Sequence, residues 1–83
     1  MRTYVYKDSE LKEVYASAIQ QMKIWKRNHE YLDRDLVRIF IANAFERTCG
    51  KRWDAIIVDS VMTDMIQIKL ICQKGEYFEI NSC

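Results

Sequence analysis

The 83-residue chain has no proline, two glycines, one histidine and three cysteines, and each scarcity excludes a class of answer. Without proline or a Gly/Ser-rich stretch there is no linker and no low-complexity tract, and no internal repeat is visible. At 10.0 kDa, residues 1–83 are therefore expected to form a single compact domain around one core. Cys49, Cys72 and Cys83 are an odd number at long spacings, which fits a secreted disulfide framework poorly and favours a reducing, cytoplasmic setting. None of them, nor His29, has the close pair spacing of a pre-organised zinc site, so no metal and no cofactor are expected. No run approaches the roughly 18 apolar residues of a membrane span, and Met1-Arg2-Thr3-Tyr4 lacks a signal-peptide core, so no membrane role is expected.

Charge of one sign is also lacking overall: 13 Lys+Arg face 12 Asp+Glu, a formal net of +1. The distribution is less even. Residues 23–52 hold eight basic groups against four acidic, a net of +4, whereas residues 53–83 hold two basic against five acidic, a net of −3. A basic middle and an acidic end could meet across two copies of the chain, so a homodimer is one expectation.

What is present is mainly hydrophobic periodicity. Arg2 to Lys7 alternates β-branched and aromatic residues, which predicts a first strand. From Asp8-Ser9, a helix cap, Leu11, Val14, Tyr15, Ala18, Met22 and Trp25 fall within one helical arc that ends near Lys26 and Arg27. Asn28 to Leu32 reads as a break. Asp33 then caps a second helix through Leu36, Val37, Phe40, Ile41, Ala44, Phe45 and Thr48, closed by Gly50. Beyond Trp53 the period reads as two: Ala55-Ile56-Ile57-Val58 is a short apolar run and Ile66, Ile68, Leu70 and Cys72 alternate with Gln67, Lys69, Ile71 and Gln73, a largely polar face. Lys74-Gly75 suits a hairpin turn and Tyr77 to Ile80 the returning strand. The predicted order is β-α-α-β-β-β, an α+β two-layer sandwich with two helices packed on a small antiparallel sheet.

Catalytic constellations are hard to find in this pattern. Gly50-Lys51 evokes a phosphate-binding loop, but the motif's leading glycine and its hydroxyl residue are here Phe45 and Arg52. Nucleophilic or acid–base catalysis needs a nucleophile beside a base or carboxylates paired in a cleft, and neither can be located. Asp54, Asp59 and Asp64 are more simply strand-end and turn residues. The chain is therefore expected not to be an enzyme.

Two binding readings remain. Nucleic-acid binding rests on Lys23-Ile24-Trp25-Lys26-Arg27-Asn28-His29, basic groups interleaved with an aromatic, with Lys12, Lys23 and Arg27 sharing one side of the first helix. A winged helix-turn-helix would need three helices before its hairpin, and only two are read. Protein binding rests on apolar residues that the pattern leaves outside the core: Ile24 and Ile39 on the helices, with Met65, Lys69 and Tyr77 on the second face of the sheet. The leading expectation is a small non-enzymatic regulator, adaptor or inhibitor that occupies a surface of a larger protein; a host-directed inhibitor of the kind phage and mobile elements encode is one subtype.

Overall fold

In the computed structural model, which describes residues 6–50 and 53–80, the elements run α1 (Asp8–Lys26), α2 (Arg34–Cys49), α3 (Ala55–Gln67), β1 (Ile71–Lys74) and β2 (Tyr77–Ile80). The α+β class stands. The order β-α-α-β-β-β and the two-layer sandwich do not: a third helix replaces the strand expected at Ala55-Ile56-Ile57-Val58, and among the described residues the sheet is a two-stranded antiparallel hairpin. Most of the strand predicted at Arg2 to Lys7 lies outside the described residues, and Tyr6 and Lys7 are not in a strand.

α1 and α2 form where the 3.6-residue period predicts. Lys7, rather than Asp8 or Ser9, is the N-cap of α1, and its backbone N–H donates to Glu10 Oε1 at 3.1 Å. That is the reciprocal half of a capping box, since a lysine side chain has no acceptor with which to complete it. Asp33 caps α2 as expected, accepting from Leu36 N at 2.8 Å, and Gly50 ends it at a φ of 69°. α1 turns Val14, Ala18 and Met22 inward, and α2 meets them with Val37, Ile41, Ala44 and Phe45.

The third helix has its own start signal. Asp54 Oδ1 accepts from Ile57 N at 2.9 Å, a side-chain cap one residue before Ala55. Val58, Val61, Met62 and Met65 follow at i, i+3, i+4 and i+7 and are all buried. A short β-branched run looks the same in a buried strand and in one turn of a helix; only the continuation to Met65 separates them. Val61 and Met62 are thus mid-helix core.

α3 closes with a Schellman motif. Leu70 N donates to Met65 O at 2.9 Å and Lys69 N to Ile66 O at 3.1 Å, with Lys69 in the left-handed region at a φ of 65°. Strand pairing starts only at Ile71, so the alternation at Ile66, Ile68 and Leu70 belongs to a helix end and its turn. The hairpin loop is Gly75-Glu76, one residue later than predicted, with Gly75 at a φ of 65° in the Gly-X pattern of a two-residue turn. Ile71 pairs with Ile80 and Lys74 with Tyr77. Ile71 and Phe78 point inward, so β1 rests on α3 and β2 on α1 and α2. The α1–α2 link joins the free edge of β2 through an Asp33–Tyr77 bridge and a 2.7 Å bond from Phe78 N to Leu32 O.

Candidate interaction surfaces

The residues expected to contact a partner scatter once folded. Met65 is fully buried in α3, and Lys69 sits in the turn after it; neither lies on a sheet face. The alternation had assigned both to a strand, and helical periodicity turns Met65 inward. Ile24 on α1, Ile39 on α2 and Tyr77 on β2 are exposed, but on three different elements. Lys12, Lys23 and Arg27 are exposed on the side of α1 away from its buried stripe.

Ile39 belongs to a cleft between α2 and the start of α3. Asp35, Arg38, Ile39 and Ala42 on one side, and Trp53, Ala55 and Val58 on the other, enclose about 450 Å³. Ile39 is 52% exposed and Ile56, one position beyond Ala55, is 79% exposed. The two helices are tied across the cleft by Arg38 Nε and Asp59 Oδ1 at 2.9 Å, whose facing atoms are sheltered from water by the side chains around them. With both side chains partly exposed, that pair orients the helices more than it stabilises them.

The outward stripe of α3 is Ile56, Ser60, Thr63 and Gln67, flanked by Asp59 and Asp64. The helix contains no lysine or arginine. Ile56 is the residue sequence reasoning missed: placed in a buried strand, it is the most exposed large hydrophobe among the described residues. Reading Asp54 as a cap would have found it, because a helix buried through Val58, Val61, Met62 and Met65 must turn Ile56 outward.

Aromatic residues gather at the opposite end of α1. Tyr31 and Tyr77, 56% and 41% exposed, stack at 4.5 Å between centroids and 25° between planes. Trp25 and His29 stack at 3.7 Å and 8°, and Trp25 Nε1 donates to Tyr31 O at 3.1 Å, joining the two stacks. His29 Nδ1 lies 3.1 Å from Trp25 O, which can only accept, so this nitrogen carries the proton. A shallow cleft of about 220 Å³ beside the tyrosines is lined by Lys26, Glu30, Lys74, Phe78 and Glu79.

A third, apolar groove runs between α1 and the turn after α3, lined by Lys12, Tyr15, Ala16, Ile19 and Leu70. Burial pushes the Tyr15 phenol above its ordinary value near 10, and the carboxylates of Asp64 and Asp8 add to the shift. Among the described residues no three His, Cys, Asp or Glu side chains converge as metal ligands, and no helix is long and apolar enough to cross a membrane. No protein-family model, curated protein or solved structure matches the chain.

Proposed function

We propose that this chain is a small non-enzymatic binding protein, a regulator, adaptor or inhibitor that acts by covering a surface of a larger protein, and that its contact surface is the α2–α3 face. One observation carries the reading: Ile39 stands in solvent at an open cleft that Ala42, Trp53 and Val58 also line, and Ile56, on the outward side of α3 and next in sequence to the lining residue Ala55, is the most exposed large hydrophobe among the described residues. Burying an isoleucine removes apolar area from water at about 25 cal/mol per Å², and an aromatic wall beside it is what the centre of a protein interface favours. Asp35, Asn43 and Glu46 supply the polar rim on α2. Affinity capture from host lysate after nuclease treatment, with wild type beside an Ile39→Asp/Ile56→Asp variant, tests the proposal. A partner recovered by wild type and lost by the variant, with an unchanged circular-dichroism spectrum, supports it; equal recovery by both overturns the assignment of the face.

Nucleic-acid binding is the second reading, and a specific feature favours it: three helices do precede the hairpin, the number a winged helix-turn-helix needs. Ser60, Thr63 and Gln67 on α3 are side chains able to hydrogen-bond base edges. Charge weighs against it, because α3 offers two aspartates and no cation to a phosphate backbone. Phosphate contact would fall to Lys12, Lys23 and Arg27, on a different helix. Duplex binding that weakens steeply between 50 and 200 mM salt, and is lost in Lys23→Glu/Arg27→Glu, would promote this reading.

A further inference from the structure

We infer that the tyrosine pair at the hairpin end is a binding site for a nucleotide unit, distinct from the α2–α3 face. Tyr31 and Tyr77 come from segments 46 positions apart, and three contacts fix them side by side: the Asp33–Tyr77 bridge, the Phe78 N to Leu32 O bond at 2.7 Å, and the Trp25 Nε1 to Tyr31 O bond at 3.1 Å. Their outward direction is imposed by their neighbours. Leu32 and Phe78 are buried, so the adjacent residue on each extended segment must point to the other side. The rings cover one face of each other and remain about half exposed, which leaves ring surface for a third planar group to continue the stack.

The groups around the rings narrow the ligand class. Lys26 and Lys74 bring two ammonium groups to the cleft, and Glu30 and Glu79 two carboxylates. Lys74 Nζ and Glu79 Oε2 are 4.0 Å apart, a loose pair with Lys74 well exposed, so the ammonium can turn to an incoming anion. A ligand using all three features has a flat ring for the tyrosines, an anion for the lysines, and hydroxyl or amino donors for the carboxylates. A nucleotide carries each of these: base, phosphate, and sugar hydroxyls or exocyclic amine. The cleft, about 220 Å³, is below the range of drug-sized pockets and suits one such unit rather than a duplex. The unit could be a free nucleotide or one residue of a single strand, which would be held by stacking with little sequence preference.

The test is NMR titration of the isotope-labelled chain at low salt with AMP and, separately, with oligo(dT) and oligo(rA), with affinities read by fluorescence anisotropy of labelled oligonucleotides. The expected result is shifts centred on Tyr31, Tyr77, Lys26 and Lys74 with at least one probe. Stronger binding of the oligonucleotides assigns a single strand as the source, and binding of AMP alone assigns a free nucleotide; both support the site. Tyr31→Ala or Tyr77→Ala should weaken binding about ten-fold or more. Lys26→Gln/Lys74→Gln, which changes charge on the surface and leaves the stack intact, should weaken it and lower its salt dependence. No shift with any probe at millimolar concentration, shifts centred on Lys12, Lys23 and Arg27 or on α3, or unchanged affinity in the Lys26→Gln/Lys74→Gln variant would each overturn the inference. Ile39→Asp/Ile56→Asp should bind the probes as wild type does, so failure here and failure of the α2–α3 proposal are separately visible.

Discussion

Replacing Lys69 by glycine should leave this fold more stable than replacing it by alanine, although glycine adds more freedom to the unfolded chain. Lys69 is the one non-glycine residue among those described with a positive φ, 65°, and it holds the left-handed position of the Schellman motif that ends α3. There its Cβ crowds the following carbonyl, at a cost of about 1–2 kcal/mol that glycine does not incur. The greater freedom of glycine in the unfolded chain takes back about 0.4–1 kcal/mol. The net is about 1 kcal/mol in favour of glycine over alanine. Alanine keeps the left-handed cost, and both variants lose whatever the ammonium contributes, so the difference between Lys69→Gly and Lys69→Ala isolates the backbone effect. For 83 residues, with an unfolding entropy of about 2.1 cal/mol/K per residue, 1 kcal/mol corresponds to about 6 °C in Tm. Urea titration and thermal melts followed by circular dichroism read it directly. Lys69→Gly equal to or below Lys69→Ala would refute the strained-cap argument, and with it the assignment of Ile68 to Leu70 as a helix-ending turn rather than part of a strand.

Three further outcomes follow from the same geometry. Met65→Ala should cost about 2–5 kcal/mol because the side chain is fully buried, whereas Ile56→Ser should change stability by no more than about 1 kcal/mol; chemical denaturation would show the reverse order if the residue 55–67 segment were a strand. Asp54→Ala should lose about 1 kcal/mol with the α3 cap, and Asp54→Asn, which keeps the acceptor, should recover most of it in the same assay. The raised pKa of Tyr15 means that the native state holds its proton more tightly than the unfolded chain. Its stabilising contribution is therefore complete below about pH 10 and is lost as pH rises through the folded value; alkaline melts of Tyr15→Phe should show a shallower decline than wild type.

α1 and α2 were legible from the sequence because each combines a sustained 3.6-residue stripe with a polar start and, for α2, a glycine stop. Asp33, Gly50 and the returning strand at Tyr77 to Ile80 read correctly for the same reason: each signal is local. The failure between Trp53 and Leu70 has a local cause too. Ile56-Ile57-Val58 and Ile66 to Cys72 are rich in β-branched and apolar residues, and a lysine occupies the position where a glycine would have announced the end of a helix. With α3 read as strands, Met65 was assigned to a surface it never reaches, and Ile56 was withheld from the surface it dominates.

Exposed candidates were legible singly but not as sites. That Ile39 lies outside the apolar arc of α2 follows from one helical wheel; that it shares a cleft with Trp53 and Val58 depends on how α3 packs. Tyr77 could be placed outside by strand alternation, yet its stack on Tyr31 depends on the α1–α2 link closing against the edge of β2. By itself the sequence determined the α+β class, the first two helices, the caps of the second, and the returning strand of the hairpin, because periodicity and capping act within a few residues. The number of helices, the direction in which Met65 and Ile56 point, and the company that Ile39 and Tyr77 keep were decided by tertiary packing, since a short apolar run suits more than one backbone until the rest of the core selects which face is buried.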